Sequence, residues 1–275
     1  MKRVEVVVLN WNGWRNTLDC IASLQCLDYP NFGLIVVDNG STDGSQDRIE
    51  AQFPKIEVLQ TGANLGFGGG CNAGIRKALE QGADYVWLIN SDAVVDDGAL
   101  TEMVCLADDQ TGIGAVGSVL YEVDQPGRIQ LWGGGKVSLW FGLSNHQVSP
   151  ARLDFVSGAS MLLRRETIEQ VGLFDDHTFF MYWEDSDFGF RLRQAGWQLA
   201  VAGKSRVWHK LSASLGKGSC QLDTYFTQSG VRFFRRYSPV PGISVAMLVA
   251  RMLMKRIVMA EFDRAKAVMN GYLSA

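Results

Sequence analysis

The chain begins with an almost unbroken β-branched run, Val4–Leu9, broken by Asn10-Trp11-Asn12-Gly13 and followed by Leu18, Ile21, Ala22 and Leu24 at helical spacing within Thr17 to Leu27. The same alternation then repeats. Leu34–Val37 runs into the turn-rich Asp38-Asn39-Gly40-Ser41-Thr42-Asp43-Gly44-Ser45, which offers caps to a helix reaching Phe53. Ile56–Leu59 precedes a glycine-dense loop, Asn64-Leu65-Gly66-Phe67-Gly68-Gly69-Gly70, and a helix over Cys71–Gln81. Tyr85–Ile89 ends in Asn90-Ser91-Asp92, with a further helix near Gly98–Ala107. Runs that are apolar at nearly every position suit strands buried on both faces. Strand, loop and helix in repetition predict an α/β fold: an open, mostly parallel sheet with flanking helices.

Residues 113–163 change character, with glycine, β-branched and aromatic residues and little helical periodicity. Short strands and loops are expected here. A helix from Arg164-Arg165-Glu166 to Val171 leads to Phe179–Leu192, where five apolar or aromatic residues run into Glu184, Asp185 and Asp187. Phe188, Leu192 and Ala195 then fall on one helical side, so the three acids occupy a first turn, where carboxylates meet free N–H groups and the positive end of the helix dipole. Asp187 also stands four residues before Arg191, as a structural ion pair would. Trp197–Val201 reads as a strand, and Val207-Trp208-His209 ends another. Beyond Ser219 the pattern is helical and increasingly basic, with Pro239 and Pro241 separating two helices.

Composition narrows the class. With 275 residues, 47% hydrophobic and 20% charged, the chain can bury a sizeable core. A formal net charge of −3 offers no basic field for nucleic acid. Five scattered cysteines (Cys20, Cys26, Cys71, Cys105, Cys220) without a CxxC fit a reducing compartment with neither disulfide framework nor zinc site. Met1-Lys2-Arg3 leads straight into a strand instead of a signal peptide, and no run of 18 uncharged apolar residues occurs. A cytoplasmic location is expected.

In open α/β sheets, ligands bind outside the carboxyl ends of the strands. The polar clusters at Asn10, Asp38, Asn64 and Asp92 each lie after a strand, so they should converge on one edge. Asp92, with Asp96 and Asp97 close behind, offers hard oxygens to Mg²⁺ or Mn²⁺, or simply caps a helix. Asp38 could accept the N3–H of a pyrimidine or bind a ribose hydroxyl, or close an Asx turn. The Gly66–Gly70 loop would let backbone N–H groups approach phosphate oxygens. His209, at a strand end, could offer a neutral imidazole to a metal, whereas spacing gives His146 and His177 no partner. A rival is written in Gly68–Ala73, which matches G-x-G-x-x-A, the dinucleotide fingerprint of NAD(P)-dependent oxidoreductases. That fingerprint should follow its strand immediately, but here Gln60 to Gly70 intervene.

Taken in order, these residues resemble a family-2 glycosyltransferase of the GT-A fold, within it the bacterial rhamnosyltransferase-like group, from Val4 to about Ser214. Val8–Asn12, Val37–Ser45 and Asn64–Asn72 resemble its nucleotide-binding signatures, and Leu88–Asp92 its form of the D-x-D metal motif. Ser157-Gly158-Ala159, Gly172–Asp175 and Tyr182–Asp187 resemble its acceptor-side and base motifs, and His209 with Ser214 its H-x-x-x-x-S. The resemblance implies a GT-A domain over 1–220, with a nucleotide-binding half (1–110) and an acceptor-side half (111–220), and a helical C-terminal extension over 221–275. It implies inverting transfer of a sugar, with dTDP-L-rhamnose the donor it points to, onto a hydroxyl of a cell-surface glycan precursor or lipid-linked saccharide.

By position, the resemblance makes Asp185 the catalytic base, ionised at pH 7, with Glu184 its neighbour. Asn10, Asn12, Asp38, Asn64, Gly66, Asn72, Asn90 and Ser91 would bind the donor. Asp92 and His209 would hold a divalent cation, Mn²⁺ or Mg²⁺. Two departures stand out. Asn90 replaces an acid of a stricter D-x-D, which leaves open a catalytically degenerate nucleotide-sugar-binding subunit. Tyr225–Ser229 lacks the family's arginine and asparagine. In the basic tail, Val245, Leu248, Val249, Met252 and Leu253 with Arg251, Lys255 and Arg256 suit a helix on the cytoplasmic face of an anionic inner membrane, or one packed on its own domain or on a second subunit of a homodimer.

Overall fold

The computed structural model describes residues 1–210 and 219–275. Its first half follows the predicted alternation: β1 (Val4–Asn10), α1 (Trp14–Leu24), β2 (Phe32–Asp38), α2 (Ser45–Gln52), β3 (Glu57–Gln60), α3 (Gly66–Glu80) and β4 (Tyr85–Asn90). Next come β5 (Ala93–Val95), α4 (Ala99–Asp109), β6 (Ile113–Glu122), β7 (Ile129–Trp132), β8 (Gly134–Ser138), β9 (Leu143–His146) and β10 (Phe155–Val156). The rest comprises β11 (Ser160–Arg164), α5 (Arg165–Val171), α6 (Glu184–Gln194), β12 (Gln198–His209), α7 (Cys220–Tyr237), α8 (Pro241–Val258) and α9 (Phe262–Leu273).

The main sheet has nine strands in the order β3-β2-β1-β4-β11-β6-β12-β5, with β7 also pairing β6. Strands β3, β2, β1 and β4 pair in parallel, as do β6 and β12, and β11 is inserted antiparallel between β4 and β6. The central strands are apolar throughout because both sheet faces are covered. One core gathers Val6, Val8, Ile21, Val36 and Trp87, and the other gathers Val7, Val37, Ile75, Leu88 and Phe188. Ser160, Ser118 and Ser205 lie in a buried hydroxyl chain across β11, β6 and β12, with successive Oγ–Oγ distances of 2.8 Å, and Trp87 Nε1 donates to Ser160 at 3.0 Å. Their polar atoms are thereby satisfied inside an apolar layer.

Four boundaries differ from the pattern. Helix α1 starts three residues earlier than its apolar spacing indicated. The glycines expected as a loop are the first turns of α3, where small size is the requirement: a Cβ on Gly70 would lie 2.5 Å from Leu9 Cδ1, and one on Gly74 2.3 Å from Val7 Cγ1. The two strands expected at Trp197–Val201 and Val207–His209 are one, β12, which starts at Gln198 and is bent by a bulge between Ala202 and Arg206. The C-terminal region has a third helix, because Ala260 (φ 55°) breaks the chain after α8 without glycine or proline.

The C-terminal helices share a third apolar cluster with the aromatic run, in which Phe179 and Trp183 meet Phe233, Phe234, Leu248 and Val268. Buried Asp223 of α7 accepts from Arg256 Nη2 at 2.7 Å and Arg264 Nε at 2.6 Å, tying the three helices together. Among the described residues no helix is long and apolar enough to cross a membrane.

Candidate active site

At the carboxyl ends of β1 and β4 lies a cleft of about 310 Å³. Leu9 and Trp11 enter it from the end of β1, and Asn39, Asn64, Gly66 and Phe67 from the loops around the start of α3. Asn90, Ser91 and Asp92 come from the end of β4, and Ser157, Gly158 and Ala159 from the turn before β11. Met181, Tyr182, Glu184 and Asp185 line it at the start of α6, with His146, His209 and Leu222 completing it. The strand-end convergence expected from the sequence therefore brings Asn64, Gly66, Asn90, Ser91, Asp92, Glu184, Asp185 and His209 together.

Asn10, Asn12, Asp38 and Asn72 stand outside this lining and use their side chains on neighbouring protein groups. Ser41 Oγ accepts from Asn10 Nδ2 at 3.1 Å and from the Asn12 N–H at 2.9 Å, while Asn12 Oδ1 accepts from the Thr42 N–H at 2.8 Å. These bonds join the loops after β1 and β2. Asp38 fastens the loop after β2, accepting from the Ser41 N–H three residues on at 3.0 Å, and also accepts from Gln60 Nε2 at 2.8 Å. Asn72 both donates to Phe174 O (2.9 Å) and accepts from Phe174 N–H (3.0 Å), pinning α3 to the segment that leads into the aromatic run. Gly66 needs its glycine: its φ is +75° and a Cβ would lie 2.0 Å from Phe180 O.

At the end of β12, Gln130 reads both parts of His209. Its Nε2 donates to His209 O at 3.2 Å, which turns Oε1 toward Nδ1 at 2.9 Å and makes Nδ1 the protonated nitrogen. Nε2 then stands 3.2 Å from Asp92 Oδ1 and 3.2 Å from Asn90 Nδ2. A carboxylate opposite an imidazole lone pair is repulsive unless a proton or a metal ion lies between them. The pair therefore fits a divalent cation, with neutral nitrogen and hard oxygen donors presented together. Among the described residues no group of three or more His, Cys, Asp or Glu forms a metal cluster, so further oxygens would come from Asn90, Ser91 or a substrate.

The carboxylates follow two left-handed residues that are not glycine, Tyr182 (φ 65°) and Trp183 (φ 68°). Such a conformation costs roughly 1–3 kcal/mol per residue and persists only when packing imposes it. Here Trp183 is wedged among Phe226, Phe233 and Phe234 at ring separations of 5.5, 4.9 and 5.1 Å. Ser229 Oγ donates to Met181 O at 2.8 Å, and Arg232 Nη1 to Thr178 O at 2.7 Å. Asp187, fully buried, accepts from Arg191 (2.8 Å), Arg236 (2.7 Å) and Tyr237 (2.8 Å). Helix α7 thus sets the angle at which α6 begins.

Glu184 and Asp185 differ sharply. Glu184 is buried with Oε2 unpartnered, and burial raises its carboxyl well above the usual carboxylate range, with the adjacent Asp185 adding to the effect. Asp185 is half-buried. Burial raises it too, opposed by the nearby His146 and by the N–H groups of Ser186 (2.6 Å) and Gly158 (3.5 Å). The environment therefore favours a protonated Glu184 beside an ionised Asp185.

Sequence reasoning missed Gln130 and His146. Each lies on a short strand far along the chain from its partner, Gln130 being 79 residues from His209, so no local spacing could reveal either. Ser214 lies outside the described residues.

The model of Glycosyl transferase family 2 matches residues 5–172. Over 223 residues the chain is 28% identical to N-acetylglucosaminyl-diphospho-decaprenol L-rhamnosyltransferase of Mycobacterium tuberculosis, covering 72% of each. It is 26% identical to low-salt glycan biosynthesis hexosyltransferase Agl10 of Haloferax volcanii, over 58% of this chain and 53% of that one. The fold is similar to that of a mannosyltransferase from Pyrobaculum calidifontis in complex with GDP-Man and Mn²⁺ (TM-score 0.62, 16% identity, 99% of this chain and 74% of that one). It also resembles S. aureus TarS 1–349 in complex with UDP-GlcNAc (TM-score 0.61, 16% identity, 93% and 73%). The dinucleotide reading falls with the same observations, since Gly68–Ala73 lie inside α3 and Gly68 packs on Phe174. With the strand-end cleft, the GT-A sheet and the matched residues in agreement, this chain belongs to glycosyl transferase family 2 and is a glycosyltransferase.

Proposed function

We propose that the protein is a metal-dependent inverting transferase that moves a sugar from a nucleoside-diphosphate donor to a hydroxyl of a saccharide acceptor. One observation carries this reading: a single cleft holds the Asp92–His209 pair and the Glu184–Asp185 pair. A divalent cation held by Asp92 and His209, with Asn90 or Ser91 beside them, would neutralise the donor's diphosphate. Asp185 takes the proton of the acceptor hydroxyl. The acceptor oxygen bonds to the sugar's anomeric carbon as the bond from that carbon to the diphosphate oxygen breaks, and the electron pair leaves with the nucleotide. Ser186 and Gly158 N–H groups hold Asp185 in place, and His146 favours its ionised form. Protonated Glu184 adds no second negative charge beside the base and can donate to the acceptor. Trp11, Phe67 and Tyr182 give the cleft apolar surface that limits water.

The similarity to a rhamnosyltransferase that acts on a diphospho-decaprenol glycan supports dTDP-L-rhamnose as donor and a lipid-linked saccharide as acceptor, used at the cytoplasmic face of the inner membrane in building a cell-surface polysaccharide. Thermal-shift screening of nucleotide sugars with Mn²⁺, followed by turnover with the stabilising donor, tests the reading. A donor that binds and turns over with inversion supports it, and tighter binding of NAD than of any nucleotide sugar refutes it. Asn90, in place of an acid, favours one competing reading, a nucleotide-sugar-binding subunit without turnover. That reading gains if donors bind but none is consumed across a panel of acceptors.

A further inference from the structure

The apolar face that the sequence marked on α8 turns inward: Val245, Leu248 and Val249 pack in the C-terminal cluster. A second apolar face remains outside. Ile243, Met247, Ala250, Met254, Ile257 and Val258 are all exposed, Met254 at 63% and Val258 at 82%. At helical pitch these six fall within an arc of about 100°, which holds no charged residue. The stripe runs from Ile243 to Val258, most of the 18-residue α8, about 23 Å. Around the α8–α9 turn it continues into exposed Met259 and Phe262.

Two more aromatics join it. The β8–β9 turn carries exposed Trp140 and Phe141 and is fastened to α8, Ser244 Oγ donating to Leu139 O at 2.5 Å and Arg251 to Gly142 O. Basic groups border the stripe on both sides. Arg251 and Lys255 follow it on one flank, and Arg235 lines the groove beside Ala246 and Ala250 on the other. Among the described residues these three form no ion pair with an acid. Residues 219–275 hold eight Lys and Arg against three Asp and Glu, in a chain with 26 against 29 overall.

We propose that this face, α8 with the Trp140–Phe141 tip, lies on an anionic lipid surface. An apolar stripe with basic flanks and aromatic residues at its margin has the chemistry of an interfacial helix, seated at the boundary of headgroups and acyl chains. A second copy of the chain is the poorer occupant, since two such faces would bring Arg235, Arg251 and Lys255 against their own counterparts, whereas anionic headgroups complement them. The seating also bears on the cleft. The strand that follows the Trp140–Phe141 tip, β9, ends at His146, which lines the site. Four residues of strand, about 13 Å, separate the lipid face from the reaction chamber. An acceptor held in the same lipid surface would need to extend its sugar by only that order of distance.

Flotation of the full chain with vesicles tests the proposal and requires no turnover, so its failure would leave the transferase reading standing. The wild type should float with phosphatidylcholine vesicles containing phosphatidylglycerol and much less with phosphatidylcholine alone. Met254→Ser with Val258→Ser should cut the partition at least about tenfold by removing apolar contact. Lys255→Glu with Arg235→Glu should cut it by about fivefold or more per site at low salt. Because these positions are exposed, both variants should melt and bind donor as the wild type does. Flotation that ignores lipid charge, or is unchanged in either variant, overturns the proposal. So does a wild type that fails to float but forms a dimer which Met254→Ser with Val258→Ser dissociates, the result that assigns the face to a second copy.

Discussion

Replacing Asp185 with Asn removes the proton acceptor while keeping the shape of the side chain. Asn Oδ1 can still accept from the Ser186 N–H, which stands 2.6 Å from the present Oδ1. The amide nitrogen then occupies the place of Oδ2, facing the Gly158 N–H at 3.5 Å, so one weak acceptor becomes a donor opposed to a donor. At a half-buried site that local cost is about 1 kcal/mol. Loss of a general base costs about 10²- to 10⁴-fold in rate, or about 3–5 kcal/mol of barrier, so the chemical effect exceeds the structural one. The expected variant melts within a few degrees of the wild type, binds donor with unchanged affinity and loses turnover by at least a hundredfold. Thermal shift with donor and Mn²⁺, together with initial rates under saturating donor, separates these quantities. Because burial raises the Asp185 carboxyl, the wild-type rate should fall on the acid side at a pH above that of a free aspartate, and this limb should vanish in the variant. Turnover within about tenfold of the wild type would remove Asp185 from the role.

The neighbouring acid behaves differently. Glu184 has a folded pKa above its unfolded one, so its contribution to stability is full below the unfolded value and is lost as pH rises through the folded value. Glu184→Gln should flatten that decline in melting temperature against pH and leave the acid limb of the rate profile in place, because a protonated Glu184 puts no charge beside the base. An unchanged pH dependence of stability would mean that Glu184 is ionised in the fold. Asp92→Ala or His209→Ala should weaken donor binding when Mn²⁺ is present and leave metal-free binding alone; equal weakening with and without metal contradicts the ligand assignment. Asp187→Asn leaves Arg191 and Arg236 facing a neutral group in a fully buried position and should cost about 3–5 kcal/mol, a fall in melting temperature on the order of 6–15 °C. A cycle with Arg236→Met that shows simple additivity would deny the coupling.

Much of the architecture was legible because its signals are local. Val4–Leu9, Leu34–Val37 and Tyr85–Ile89 are apolar at nearly every position, which only a sheet covered on both faces can use, and the polar breaks after them mark the ends of parallel strands. The glycines after Asn64 carried an ambiguous signal. Gly68–Gly70 suit a loop by propensity, yet packing against Leu9, Asn39 and Phe174 lets a helix form there, because those neighbours leave no room for a Cβ. The apolar periodicity of α8 marks a helix, but periodicity alone does not say which of its two apolar faces meets α7 and α9.

The site divides in the same way. The sequence by itself determined which residue types reach the strand ends, since Asn90-Ser91-Asp92 closes a strand and Glu184-Asp185 opens a helix whatever the rest of the chain does. Tertiary structure alone decided their chemistry. It placed Gln130 against His209 to fix a tautomer, set α7 behind Trp183 to hold two left-handed residues, and buried Glu184 without a partner while giving Asp185 two N–H groups and a nearby histidine. The physical reason is range: strand and helix preferences are set by neighbours a few residues away. Protonation state and strain are set by what lies within a few ångströms in space, brought there from tens of residues along the chain.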